Sequence, residues 1–265
     1  MTDRDLDLRL LTARAVAREA GKLAFEYFNR RTQLEVELKG MQDVVSVADR
    51  AVEDLMRARL TVAFPEDDLL GEEGGGAERR TGAALWVIDP IDGTANFLRG
   101  MPYWSVALAY VKDDRVEIGV TYDPVHDELF WARRGGGAHR DHAPIRVSGA
   151  TDPRRGVVGS TFSFKMEIDR YLAIVEGILR AGSDHRRMGS TALMMCHVAD
   201  GRLDGCVTGY CNSWDVIGGL LLVQEAGGVA SDFIADNGLL EAGSALACTT
   251  GLHATLEQVR HRSTR

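Results

Sequence analysis

The stretch LWVIDPIDGTANF, residues 85–97, predicts a buried strand, a tight turn and a helix start in direct succession. Four apolar residues lead to Asp89, so this acid lies at the carboxyl end of the predicted strand. Pro90 prevents the strand from continuing because it cannot donate a ladder hydrogen bond. Gly93 permits a tight backbone path, and a helix that begins near Thr94 presents N–H groups to an anion. This order of acid, turn and helix start indicates a site for a metal ion and a phosphate group.

Three further acidic motifs lie beside glycines or at predicted helix starts. They are Gly71-Glu72-Glu73-Gly74, Trp214-Asp215 and, more weakly, Ser46 with Asp49. Each motif alone is usually a solvated loop, a turn or a helix N-cap. Together they are compatible with a single site, because carboxylates near a buried strand end require compensating cations.

The candidate ligands of that site all offer oxygen. They are the carboxylates of Glu72, Asp89, Asp92 and Asp215 and the backbone carbonyl of Ile91. No histidine or cysteine lies within these motifs. An all-oxygen set suits Mg2+, Mn2+ or Ca2+ and disfavours zinc and copper. Two such ions about 3.5–4 Å apart would form the clamp used for in-line attack on phosphorus.

The composition is that of an ordinary globular protein. Of the 265 residues, 45% are hydrophobic and 26% are charged, as expected for a chain that buries a sizeable core. The net charge of −8 gives no broad electrostatic footprint for nucleic acid. The four cysteines lack zinc-type spacing and are expected to be reduced thiols. Without a bilayer-length apolar run or a signal-like first segment, the chain is expected to be soluble and cytoplasmic, with no membrane partner.

The apolar periodicity predicts helices and antiparallel strands first, and alternating strands and helices later. The predicted helices span 5–31, 47–63, 168–181, 190–200, 215–227 and 252–261. The predicted strands span 34–39, 85–90, 103–111, 115–122, 127–132, 145–148, 156–160, 229–232 and 245–249. We expect an N-terminal α+β subdomain, residues 1–145, with most candidate ligands, and a C-terminal α/β subdomain, residues 146–265, with Asp215.

Four segments resemble those of the inositol monophosphatase family of metal-dependent phosphatases. They are GEEGG (71–75), WVIDPIDGTANF (86–97), RRMGSTALMMCHVADGRLDG (186–205) and WDVIGGLLLVQEAGG (214–228). The resemblance covers essentially the whole chain. It implies a layered α-β-α-β-α fold of the α+β or α/β class, as in inositol monophosphatase and fructose-1,6-bisphosphatase. It also implies a homodimer with the active site between the two halves of each chain.

The resemblance also implies a role for each site residue. The ligands of two or three Mg2+ ions would be Glu72, Asp89, the carbonyl of Ile91, Asp92 and Asp215. Asp49 and Thr94 would orient the attacking water, with Glu72 beside them as a catalytic residue, and Gly93 and Thr94 would hold the phosphate. Lys39 and Glu73 match residues near the third metal position. The substrate-side residues would be Gly189, Ser190, Thr191, Thr208 and Asp215.

One position departs from the family pattern. Thr208 stands where an acid of the family contacts a substrate hydroxyl, seven residues before Asp215. A hydroxyl makes a weaker contact than a charge-assisted bond. The departure therefore implies loose substrate selection.

The expected function is Mg2+-dependent hydrolysis of a small phosphate monoester by a metal-activated water, with inositol 1-phosphate as the first candidate substrate. Histidinol phosphate and fructose 1,6-bisphosphate are the enzymatic alternatives. A partner of the transcription machinery is the alternative from another class, since some bacterial family members act in that way. The net charge of −8 disfavours direct RNA binding, so nucleic acid is not the expected partner.

Overall fold

The computed structural model describes residues 2–33, 36–40, 43–76 and 84–262. Within these ranges the α-helices are α1 (Asp3–Asn29), α2 (Val47–Ala63), α3 (Thr94–Arg99), α4 (Ile168–Arg180), α5 (Thr191–Ala199), α6 (Ser213–Glu225), α7 (Phe233–Asn237) and α8 (His253–Arg262). The first strands are β1 (Val36–Gly40), β2 (Asp43–Ser46), β3 (Asp68–Gly71), β4 (Gly75–Gly76), β5 (Leu85–Asp92), β6 (Ser105–Lys112), β7 (Arg115–Asp123) and β8 (Glu128–Arg133). The later strands are β9 (Ala138–Arg140), β10 (Ala143–Pro144), β11 (Val157–Thr161), β12 (Asp184–Arg186), β13 (Gly205–Cys211), β14 (Val229–Ala230) and β15 (Gly243–Cys248). None of the helices in these ranges has the length and hydropathy needed to cross a membrane.

The larger sheet positions the acidic stretch at the end of β5. Its strand order is β10-β9-β8-β7-β6-β5-β3-β4, with β5 parallel to β3 and antiparallel to β6. The β5–β6 register shifts between Asp89 and Asp92, around Pro90, which has no N–H to donate. The prediction that the strand stops at Pro90 is therefore wrong, because β5 continues to Asp92 across this irregularity. Both acids consequently lie at the same end of one strand.

The two faces of the larger sheet pack against different helices. Side chains alternate across a strand, and in β5 Trp86 and Ile88 belong to the core formed with α1 and α2. Val87 faces the other way, into the core formed with α5 and α6. Helix α6 lies so close to β7 that an added Cβ on Gly119 would be 2.4 Å from the carbonyl oxygen of Gly218.

The smaller main sheet completes the layers. Its order is β12-β11-β13-β15-β14, with β11 parallel to both β12 and β13. Cys206 of β13 packs toward α5 and α6, whereas Val207 packs toward α4 and α8 on the outer face. The layers are thus α1 and α2, the first sheet, α5 and α6, the second sheet, and α4 and α8. The expected α-β-α-β-α architecture is confirmed.

Most predicted elements are present. One predicted strand, over 145–148, is absent, and one central strand, β13, was not predicted. Helix α2 has the predicted bounds, because Ser46 caps its start and Phe64-Pro65 ends it. The predicted strand over 145–148 is wrong: the N–H of Ile145 bonds Ala138 and that of Val147 bonds Ala226, so no ladder forms. Strand β13 was not predicted, although it lies at the centre of the second sheet.

Candidate active site

Two carboxylates of β5 and one from a distant part of the sequence meet at the end of this strand. One carboxylate oxygen from each of Asp89, Asp92 and Asp215 lies within 4.8 Å of the others. Asp89 and Asp92 are buried and Asp215 is half-buried. Carboxylate oxygens gathered at this separation are the donors that hard divalent cations prefer. The cluster therefore fits a metal ion of the Mg2+ class.

Local hydrogen bonds orient two of these acids. The N–H of Ile91 donates to Asp89 Oδ1 at 3.1 Å, within the irregular end of β5. Asp215 lies in the first turn of α6, where its Oδ2 accepts from the N–H of Asn212 at 2.7 Å in a capping box. Both carboxylates keep one oxygen that these backbone bonds do not use.

Asp92 is bound to the start of α5. Its Oδ1 accepts from the N–H of Thr191 at 3.1 Å, and its Oδ2 accepts from the N–H of Ala192 at 2.8 Å. The hydroxyl of Ser190 also donates to Oδ2. Ser190 and Thr191 therefore contact a candidate metal ligand directly, and the Ser190 hydroxyl proton is committed to that contact.

The pKa values of the cluster are raised by burial and by repulsion between neighbouring carboxylates. Burial raises the pKa of Asp89 well above its ordinary value, and the neighbouring Glu72, Asp92 and Asp215 carboxylates raise it further. Burial raises the pKa of Asp215 to about 7, with Asp92 adding to the effect. Burial also raises the pKa of Asp92, opposed by its bonds from Ser190 and α5. A cation of charge two would relieve this repulsion.

Asp49 and Thr94 form a second group beside the cluster. Asp49 is 1% exposed, and its Oδ2 accepts from the N–H of Ser46 at 2.8 Å and from the Ser46 hydroxyl at 2.7 Å. The Thr94 hydroxyl lies 3.1 Å from both Asp49 Oδ1 and the carbonyl oxygen of Ile91. Burial raises the pKa of Asp49, opposed by these bonds from Ser46 and Thr94. The structure thus brings together the two residues expected to orient water.

The glycines of the site lie where two loops meet. Gly93 caps α3 with a φ of 99° and Gly189 has a φ of 90°, both in the left-handed region that favours glycine. An added Cβ on Gly93 would be 3.0 Å from the carbonyl oxygen of Gly189. The side-chain amide of Asn96 joins the same loops, donating to the carbonyls of Tyr103 and Met188, each at 2.7 Å.

The turn that carries Glu72 and Glu73 joins β3 to β4, and both residues are half-buried. The negative charge of Glu72 adds to the raised pKa of Asp89. Among the described residues, Glu72 does not belong to the 4.8 Å group that Asp89, Asp92 and Asp215 form. Lys39, the other residue expected near a third metal, lies on β1, whose side chains are outside the described residues.

Thr208 is placed differently from the expected substrate contact. It is 0% exposed in the centre of β13. Its hydroxyl accepts from the Thr161 hydroxyl at 2.7 Å and donates to the carbonyl of Tyr210 at 3.0 Å. Both contacts lie within the second sheet, and the Thr208 hydroxyl proton is used by the carbonyl of Tyr210.

The fold agrees with the comparisons to known proteins. The model of the inositol monophosphatase family matches residues 5–265. The chain belongs to the inositol monophosphatase family. It is 37% identical over 233 residues to the Nus factor SuhB of Pasteurella multocida, covering 87% of each chain. It is 37% identical over 240 residues to the inositol-1-monophosphatase of Mesorhizobium japonicum, covering 87% of this chain and 88% of the relative.

Solved structures of the family share the whole fold. The extragenic suppressor protein SuhB of Bartonella henselae superposes with a TM-score of 0.87 at 30% identity, covering 94% of this chain and 96% of that one. Inositol monophosphatase from Anabaena superposes with a TM-score of 0.82 at 30% identity, covering 97% of both chains. The family resemblance of the sequence is thereby confirmed.

Two residues of this family site were not singled out from the sequence. Asn96 joins two loops, and Glu53, which is 2% exposed on α2, accepts from the turn that carries Glu72. Asn96 lies within the quoted stretch but carries no charge to mark it. Glu53 follows Asp49 by four residues, a spacing that places both side chains on one face of a helix. That spacing is the signal that would have indicated Glu53.

Proposed function

We propose that this chain is a Mg2+-dependent phosphatase that hydrolyses a small phosphate monoester, with inositol 1-phosphate as the first candidate. The observation that carries the proposal is the convergence of Asp89, Asp92 and Asp215 within 4.8 Å. These residues, with Glu72 and the carbonyl of Ile91, would hold two or three ions. Bound divalent cations supply positive charge that polarises the phosphate ester and lowers the pKa of an attacking water.

The chain's own residues would orient the water and accept its proton. Thr94 has one hydroxyl proton, which faces Asp49 Oδ1 and the carbonyl of Ile91. Its oxygen therefore meets any further partner as an acceptor, which suits a water that must lose a proton. Asp49 lies behind Thr94, and its pKa is raised by burial, so it accepts a proton more readily than an exposed aspartate does.

The family relationship supports the substrate class, and the loop geometry supports its position. Gly93 and Thr94 would hold the phosphate through backbone N–H groups at the start of α3. Gly189 and Ser190 border Gly93 from the other half of the chain, and Thr191 contacts Asp92 beside it. Histidinol phosphate and fructose 1,6-bisphosphate stay as alternative substrates, because the residues that bind the alcohol part are not identified.

The test is a phosphate-release screen over inositol, histidinol, sugar and nucleotide phosphates with and without Mg2+. We expect Mg2+-dependent release, and Asp89→Asn should lower kcat/KM by about 100-fold or more, because the amide keeps the shape but loses the charge. Asp123→Asn is the matched control. Asp123 is 1% exposed at the end of β7 and accepts from the N–H two residues later, as Asp89 does.

Activity of Asp89→Asn within about threefold of wild type would contradict the proposal. The control should keep wild-type kcat/KM, because Asp123 lies outside the acidic cluster. A loss of activity in both variants together with a lower Tm would show damage to the fold and not to the site.

A second candidate function is partnership with the transcription machinery. Relatives named Nus factor SuhB in three further bacteria, Haemophilus influenzae, Pseudomonas aeruginosa and Escherichia coli, are 36–38% identical to this chain. These names weigh against the expectation that nucleic acid is not a partner, whereas the charge of −8 weighs against direct RNA contact. Filter binding of ribosomal leader RNA tests it, and retention of RNA by both wild type and Asp89→Asn would support a role separate from hydrolysis.

We further propose a cytoplasmic homodimer, as the family resemblance implies. Light scattering of the purified chain should give a mass near twice 29.0 kDa. A monomer at micromolar concentration would contradict this part of the proposal.

A further inference from the structure

Helix α2 carries a row of charged side chains, a ridge formed by Asp49, Glu53 and Arg57, near the acidic cluster. Asp49, Glu53 and Arg57 are spaced four residues apart, so they share one face of the helix. Asp49 binds Thr94 at one end of this ridge. Glu53, one turn further along, is 2% exposed. A buried carboxylate is costly unless it is fully hydrogen-bonded, so its partners indicate what it does.

The partners of Glu53 are the backbone of the Glu72 turn and one arginine. Its Oε2 accepts from the N–H of Glu73 at 2.8 Å, and its Oε1 accepts from the N–H of Gly74 at 2.8 Å. Arg57 Nε donates to Oε1 at 2.7 Å. These are charge-assisted bonds, which are stronger than those between neutral groups.

The turn that carries Glu72 packs directly against the Glu53 carboxylate. An added Cβ on Gly71 or Gly74 would lie 2.6 Å or 2.7 Å from Glu53 Oε1. Within the part of the chain that the structure describes, the ladder beside the turn pairs Leu70 with Gly76 and Gly71 with Gly75. The carboxylate of Glu53 thus anchors the residues immediately after Glu72 to a long, well-packed helix.

We propose that Glu53 is a positioning residue for the candidate metal ligand Glu72. It holds the turn against α2, so that Glu72 keeps its place beside Asp89 without the entropy cost of ordering a free loop. Because α2 also carries Asp49, one rigid helix would fix the ligand turn and the water-orienting pair relative to each other. The inference rests on the proposed metal-dependent function.

A second acid–arginine pair of the chain provides a matched control. Glu176 and Arg180 on α4 have the same four-residue spacing and the same Nε-to-Oε1 distance of 2.7 Å as Glu53 and Arg57. The Glu176 side chain is 60% exposed, against 2% for Glu53. Glu176→Gln removes the same type of ion pair at a site remote from the cluster.

The test measures Mn2+ binding to the purified full-length chain by titration calorimetry, beside the Mg2+ concentration for half-maximal activity. Glutamine at position 53 keeps the volume but has one acceptor oxygen for two backbone N–H groups. We expect Glu53→Gln to weaken Mn2+ binding about tenfold, the usual effect of losing a residue that orients a ligand. Its kcat at saturating metal should stay within about threefold of wild type. Glu176→Gln should bind Mn2+ as wild type does.

A second variant changes the contact between Glu53 and the turn by a substitution in the turn itself. Gly74→Ala places a methyl group 2.7 Å from Glu53 Oε1 and 2.8 Å from Arg57 Nη2, whereas Gly74 itself is exposed. It should weaken Mn2+ binding in the same direction even if Glu53→Gln fails to fold. Mn2+ affinity within about twofold of wild type in every variant that folds would overturn the inference. Failure of wild type to bind Mn2+, or equal binding by Asp89→Asn, would instead overturn the proposed function.

Discussion

At the scale of single residues, Thr208 shows how burial decides what a side chain can do. The family pattern has an acid here, yet the Thr208 hydroxyl is enclosed in β13 and bonded to Thr161 and the carbonyl of Tyr210. For this chain we therefore expect substrate selection, in the proposed function, to depend on other residues.

This placement predicts that Thr208→Glu destabilises the protein instead of sharpening its selectivity. An unpaired carboxylate buried in β13 should cost about 3–5 kcal/mol, which lowers Tm by about 6 °C or more in a chain of this size. Thr208→Val, which keeps the shape and loses two hydrogen bonds, should cost about 1–3 kcal/mol. Thermal unfolding followed by circular dichroism measures both.

The kinetic part of this experiment compares kcat/KM for inositol 1-phosphate and glycerol 2-phosphate. Thr208→Val should leave the ratio unchanged. A Thr208→Glu variant with wild-type Tm and a ratio about tenfold larger would show that the side chain reaches the substrate after all.

At the scale of elements, Asn96 connects α3 to the loop before α5. Its side-chain amide donates to the carbonyls of Tyr103 and Met188, and an added Cβ on Gly189 would lie 2.8 Å from Asn96 Nδ2. The amide therefore sets the spacing between the phosphate-side turn and the segment that binds Asp92. One neutral side chain thus joins elements from the two halves of the sequence.

Replacing this amide by a carboxylate of the same shape should separate the two elements. Asn96→Asp places an acceptor against two carbonyl acceptors, and leaving these buried groups unsatisfied should cost about 2–5 kcal/mol. KM should rise more than kcat falls, because in the proposed function these loops would align the substrate. Asn237→Asp is the control, since Asn237 Nδ2 donates to the carbonyl of Phe233 within α7. Equal Tm and equal KM for wild type and Asn96→Asp would contradict the role.

The elements also show which features the sequence predicts well. Helix α2 was predicted with its observed bounds because both of its ends carry chemical signals, Ser46 at the start and Pro65 after the end. Strand β13 was missed because CVTGYC neither alternates nor forms an apolar run. Its position depends on β11 and β15, its partners in the sheet. Long-range pairing of this kind leaves no local pattern.

At the scale of the whole molecule, the middle layer assembles the site. Helix α5 binds Asp92 through its first N–H groups, and α6 carries Asp215 in its first turn. Both helices pack between the sheets, so their starts meet the end of β5. The sequence predicts which acidic residues are candidate metal ligands. The contact distance between Asp215 and Asp89, by contrast, depends on how α5 and α6 pack between the sheets.

The cluster also makes the stability of the whole molecule depend on pH and metal. The folded chain raises the pKa of Asp89, Asp92 and Asp215 above the unfolded value, with Asp215 at about 7. Above about pH 4 the metal-free folded state therefore binds more protons than the unfolded state, so its stability falls as pH rises toward 7. In the proposed function a divalent cation would bind the ionised folded cluster and oppose this loss, by about 2.7 kcal/mol at a concentration of 100 Kd.

We therefore expect the Tm of the EDTA-treated protein to fall between about pH 5 and pH 7.5. Each pKa unit corresponds to about 1.4 kcal/mol, or about 3 °C in a chain of this size. Added Mg2+ should raise Tm by at least about 3 °C more at the higher pH than at the lower one. Asp89→Asn should flatten both responses, because it removes one titrating group and one ligand. A Tm of the metal-free protein that rises over this range, or a Mg2+ effect independent of pH, would mean that the three carboxylates are not the groups that couple folding to metal.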